Sequence, residues 1–137
     1  MYLNSALVVD EIREGEDGRV DLIGLREELY FDALPVLLER LCLFLDFAVT
    51  RDDRGRRYEL EIRVLDPDEE LVQSAPIRFR LPPDYGRPTA PLDPTLFEVP
   101  FKRFGLHAVE IRIGDVIARR LPLFILPRDS GEPSVAG

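Results

Sequence analysis

Apolar and polar residues alternate with a period of two through most of this chain. Leu60, Ile62 and Val64 are separated by Glu61 and Arg63, and Ile77, Phe79 and Leu81 by Arg78 and Arg80. Successive strand side chains point to opposite faces, so each such stretch is expected to bury one face and wet the other. Val109, Ile111 and Ile113 repeat the pattern, and Gly114 with Asp115 then supplies a short turn into another apolar run. That is a hairpin signal. Residues 5–13 and 19–26 read as a first hairpin across Glu14 to Gly18, with Gly24 marking a bulge or a close backbone approach. The run from Leu37 to Val49 admits two readings. Leu41, Leu43, Leu45, Phe47 and Val49 share one parity, while Leu37, Leu38, Leu41, Leu45 and Val49 also fit a helix, in which leucine is the better former. A strand is favoured, because Pro35 precedes the run and Asp52 to Gly55 reads as a turn after it.

The remaining strands are expected at 57–65, about 70–81, 95–101, 106–113 and 116–126. Eight short antiparallel strands in one chain of 137 residues predict an all-β domain, a two-sheet sandwich over residues 1–126. Pro82 to Pro94 holds five of the twelve prolines and reads as a long loop of the kind that carries function or mobility. Residues 127–137 lack an apolar period and read as a flexible tail. Pro122 predicts that the last strand lies at a sheet edge, since proline cannot donate to a ladder on its inner side.

Composition narrows the function. Seventeen arginines and one lysine, Lys102, face 26 acids, for a net charge of -8. Proteins that bind nucleic-acid backbones or anionic membranes carry a positive surplus, so no nucleic acid and no membrane are expected as partners. The single cysteine, Cys42, can form neither an internal disulfide nor a multi-cysteine metal site. The N-terminus has no basic, apolar leader and no window spans a bilayer, so the expected setting is cytoplasmic.

The opening Ala6-Leu7-Val8-Val9-Asp10, its acidic turn, and Val20-Asp21-Leu22-Ile23-Gly24-Leu25 resemble the start of a family of small bacterial proteins of unknown function. Gly105, Leu106 and His107, ahead of Ala108-Val109-Glu110-Ile111 and Gly114-Asp115, are similar to the glycine, x, tyrosine strand of bacterial immunoglobulin-like sandwiches. In that pattern His107 stands where an aromatic, commonly tyrosine, is found. The resemblance implies an immunoglobulin-like or C2-like sandwich and brings no catalytic residue with it.

Chemistry is thinly marked. His107, the only histidine, shares its parity with Val109 and Ile111, so a packed ring is expected before a general base. None of the serines lies in a Gly-x-Ser-x-Gly context. An up-and-down chain would bring Glu14, Glu16 and Asp17 to the same end as Asp52, Asp53 and Asp115, which is the calcium reading of a C2-like module. Arg51, Arg54, Arg56 and Arg57 crowd that turn and oppose it. Pro88, Pro91 and Pro94 recur at the polyproline II period behind Tyr85 and Arg87, and form either a docking strip or a cover for a sheet edge. The leading expectation is a non-enzymatic protein-interaction module, without cofactor and able to form a homodimer. Its surface is a sheet face marked by Phe44 or an apolar edge marked by Leu123 and Ile125. A calcium-dependent module and a small hydrolase around His107 are the alternatives.

Overall fold

The computed structural model describes residues 1–16 and 19–128; of the expected tail at 127–137, Pro127 closes the last strand and 129–137 lie outside the described residues. The protein is all-β. Its strands are β1 (Tyr2–Glu14), β2 (Val20–Leu25), β3 (Glu28–Phe31), β4 (Val36–Ala48), β5 (Arg57–Leu65), β6 (Leu71–Arg80), β7 (Thr89–Leu92), β8 (Thr95–Phe101), β9 (Gly105–Ile113) and β10 (Val116–Pro127). The first sheet runs β2-β1-β4, with β7 and β8 lying end to end along the far side of β4. The second runs β3-β10-β9-β5-β6 and is antiparallel except that β3 lies parallel to β10. The inner faces share one core, in which Leu43, Leu45 and Phe47 of β4 meet Ile62, Val109 and Ile125 of the other sheet.

Ten strands form among the described residues where eight were expected, and both extra ones are instructive. β3 is four residues long, too short for alternation to announce it. β7 lies inside the proline-rich segment read as a loop, because proline keeps its acceptor while losing its donor. The Pro88 carbonyl accepts from Val49 N–H at 2.8 Å and the Pro94 carbonyl from Leu43 N–H at 2.9 Å. The segment therefore covers the edge of β4, and its backbone is spent inside the fold.

β4 is a strand, and the helical spacing of its leucines has a physical source. Val36 and Leu38 pack inward, Glu39 and Arg40 are both exposed, and Leu41, Leu43, Leu45 and Phe47 then face the core. The partner β8 changes phase at the same level, with Phe97 and Glu98 both exposed and Glu98 at φ 52°. A phase change in an alternating strand puts apolar residues three apart, which imitates a helix.

The edge position expected for β10 holds only for its first half. Val116 to Leu123 pair with β9 alone, and Pro122 lies there, while Phe124 to Pro127 are flanked on the other side by β3. Leu123 and Ile125 are 0% exposed, so the apolar edge assigned to them is core.

Candidate interaction surface

The outer face of the first sheet carries an apolar strip that alternation alone does not require. Leu7 lies opposite Phe44, Val9 opposite both Cys42 and Leu25, and Cys42 opposite Thr95, so the strip crosses β2, β1, β4 and β8. Leu7, Cys42 and Phe44 are half-buried, Val9 is buried by its neighbours, and Leu25 is 65% exposed. No third sheet or helix lies over this face among the described residues. Phe44, singled out from the sequence, thus sits at the centre of a patch. Leu7, Val9 and Leu25 were missed, although the doubled apolar pairs Leu7-Val8 and Val8-Val9 announce a strand with two apolar faces.

Beside the strip the sheet forks. β1 pairs with β4 from Tyr2 to Val9, and there the two strands part. Asp10 to Glu14 continue with β2 alone, while the first half of β4 continues with β8 alone. A cleft of about 230 Å³ opens at the fork, lined in part by Val9, Asp10, Arg26, Glu39 and Arg40. The Asp10 carboxylate accepts from Arg26 Nε at 2.8 Å and folds over Gly24, where a Cβ would meet its Oδ2 at 2.2 Å. Gly24 also has φ +70°, so the close approach expected at this glycine is present. Beyond it, Ile12 and Leu22 face each other across the hairpin without joining the packed core.

The carboxylates of the calcium reading do not gather. β1 and β4 are antiparallel, with Tyr2 beside Ala48, so Glu14 and Glu16 lie at one end of the domain and Asp52 and Asp53 at the other. The unforeseen β3 adds one reversal to the chain, and that reversal moves every later turn to the opposite end. Asp17 lies outside the described residues. Asp115 borders a surface cleft with Glu59, Glu61 and Arg112. Asp53 is buried and fully engaged: it accepts from the Met1 ammonium at 2.8 Å, Thr50 N–H at 2.7 Å, Thr50 Oγ1 at 2.9 Å and the Tyr58 hydroxyl at 2.8 Å. The ammonium above all, then the Thr50 amide, holds its carboxyl far below the usual range. Among the described residues no three metal-ligating side chains cluster. Tyr85 packs against the core and donates to the Thr89 carbonyl, while Arg87 is exposed beside it.

His107 is buried more deeply than its place near a strand end suggested, at 1% exposure. Its ring meets Phe101 edge to face at 5.2 Å between centroids, and Nδ1 lies 3.1 Å from the Gly105 carbonyl. A carbonyl only accepts, so Nδ1 carries the proton and Nε2 keeps a lone pair. Burial pushes the pKa of this histidine down, against the smaller opposing pull of the Gly105 carbonyl and Asp66. The ring borders a cleft of about 300 Å³ whose rim includes Asp66, Glu70, Lys102 and Arg103. Asp66 Oδ1 accepts from the Asp68 and Glu70 amides, which ties down the turn, and Arg103 pairs with Asp68. No serine, threonine or cysteine is among the residues that line this cleft.

Of the outward strand arginines, Arg78 meets Glu59 on the neighbouring strand at 3.6 Å, whereas Arg63 meets Glu61 on its own strand at 3.4 Å. Glu110 is buried on the outer face of the second sheet, where Arg120 donates to it at 2.9 Å. No helix among the described residues is long and apolar enough to cross a membrane. A family model described as a family of unknown function, DUF6941, matches residues 4–126. No curated protein matches the chain.

Proposed function

Because the chain belongs to DUF6941, a family of unknown function, its activity has to be argued from its surface, and we propose that it is a non-enzymatic, cytoplasmic interaction module. In this reading it is an immunoglobulin-like sandwich that docks a protein partner on the outer face of its first sheet. The observation that carries the reading is the apolar strip of Leu7, Val9, Leu25, Cys42 and Phe44 on a face with no covering layer. Apolar side chains left partly exposed on an uncovered face, in a chain otherwise rich in charge, favour an interaction site. Two features support the immunoglobulin-like type. The order β6-β5-β9-β10 matches the C′-C-F-G sheet of that architecture, and β4 beside β8 matches its B and E strands. The bond from His107 back to the Gly105 carbonyl also stands in for the upstream backbone bond of the tyrosine corner. β7 departs from the type, since it pairs with β4 where the D strand would pair with E.

The test is in-cell photocrosslinking with a benzophenone amino acid placed at Leu25, and at Glu59 on the other sheet as control. Discrete adducts from position 25 alone are expected. Equal labelling from both positions, or none from position 25, counts against the proposed face.

A further inference from the structure

Sheet edges that could pair with another chain are blunted nearly everywhere in this protein. β6 carries Pro76 and is tied to β8 by the bond from Gln73 Nε2 to the Phe97 carbonyl. β7 carries Pro91, the free half of β10 carries Pro122, β3 has four residues, and β2 is interrupted by Gly24 at positive φ. Such devices keep edges from adding foreign strands. Two stretches lack both proline and a positive-φ glycine and face the fork: Val36 to Arg40 of β4, and Asp10 to Glu14 of β1, which pair with β2 on their other side.

We infer that a second copy of this chain pairs along the latter edge, β1 against β1, antiparallel about a two-fold axis through Ile12. The inference rests on the interaction-module reading and adds a second surface beside the proposed face. Its first support is charge complementarity. Arg13 already pairs with Glu11 of its own strand at 3.1 and 3.2 Å, and antiparallel pairing centred on residue 12 sets Glu11 also opposite Arg13 of the second copy, so the two pairs can be shared across the axis. Asp10 then faces Glu14 of the second copy, and Arg26, already 2.8 Å from Asp10, is placed to offset that repulsion.

The second support is apolar. Ile12 and Leu22 lie on the same face of the hairpin, opposite one another, and neither reaches the core. A two-stranded hairpin alone is marginal in water. The two-fold turns the pair of hairpins into four strands, with Leu22, Ile12, Ile12 and Leu22 side by side in one row. A register displaced by one residue would set Glu11 against Ile12 and lose the apolar row.

The closing experiment is sedimentation velocity of the full chain over micromolar concentrations, with circular dichroism confirming that each variant is folded. Wild type is expected to form a dimer. Glu11→Arg and Arg13→Glu each set like charges opposite across the axis, and each should weaken self-association about tenfold. An equimolar mixture of the two variants should recover it, because both contacts become attractive again in the heterodimer. Arg13→Glu as dimeric as wild type, or a mixture that stays monomeric, overturns the pairing. So does a wild-type monomer at tens of micromolar; crosslinks from position 25 to a different protein would in that case leave the interaction-module reading standing, and their absence would remove both.

Discussion

Between pH 5 and 7 the only side chain whose ordinary pKa falls in range is that of His107, the single histidine of the chain. Its environment makes the direction of the pH response definite. Burial lowers the pKa from 6.5; the bond to the Gly105 carbonyl and the charge of Asp66 oppose the shift, and Arg103 reinforces it. Glu70 and Lys102 complete the charged rim of its cleft. The unfolded chain therefore binds a proton more readily than the folded one. Stability is full above about pH 6.5, where both states are neutral, and falls as the pH drops from there toward the folded-state pKa. Below that value both states are protonated and the loss stops. One proton limits the slope to about 1.4 kcal/mol per pH unit, or about 5 °C in Tm for a domain of this size. His107→Phe keeps a ring against Phe101 and removes the titration. It also leaves the Gly105 carbonyl without its donor, which costs about 1–3 kcal/mol at neutral pH. Urea denaturation of both proteins at closely spaced pH values reads the effect: wild type should lose stability toward pH 5 while the variant starts lower and stays flat. Parallel profiles would refute the assignment of the acid response to a buried, neutral histidine.

Three further outcomes follow from the packing. Gly105→Ala should lower the urea midpoint by the equivalent of about 1–3 kcal/mol, because φ is +129° there and a Cβ would lie 3.1 Å from Pro67 Cγ; Gly114→Ala, with no atom within 4 Å, should cost about 1 kcal/mol. Ile125→Asp should abolish the cooperative thermal transition, since an unpaired charge in the core costs several kcal/mol, whereas Phe44→Asp on the outer face should leave a folded protein by circular dichroism. Arg120→Met should destabilise by about 1–3 kcal/mol by removing the donor to the buried Glu110 carboxylate, with Arg63 still opposite it on β5, and Glu110→Met in the same chain should restore part of that in calorimetry.

The long strands were legible because each has one wet face. Leu60, Ile62 and Val64 against Glu59, Glu61 and Arg63 left β5 in no doubt, and the same holds for β9, although its Glu110 is buried through a contact that no linear pattern encodes: Arg120 donates to it from the neighbouring strand and is itself held by Glu69 of a turn. Leu123 and Ile125 were read correctly as one face of a strand and wrongly as an edge. Facing is written in alternation, whereas neighbours are chosen by distant segments, here the parallel β3.

β3 also explains the largest displacement between expectation and structure. Four residues, Glu28 to Phe31, give two apolar inward side chains, Leu29 and Phe31, too few to separate a strand from a turn by period. Yet β3 reverses the chain, whereas β7 runs on into β8 in the same direction, so omitting β3 inverts the assigned end of every later turn. That single inversion is what joined Glu16 to Asp52 and Asp115 on paper and divides them in the fold. The same segment carries the chain from the first sheet to the second: Arg26 N–H bonds to the Val8 carbonyl, and Phe124 N–H to the Glu27 carbonyl, within two residues of each other. β2 is thereby held away from the core on β1 alone, and the β1–β2 hairpin stands at the fork with its apolar pair uncovered. The strand least visible in the sequence is thus the one that creates the exposed hairpin, and with it the open edge on which the self-pairing depends.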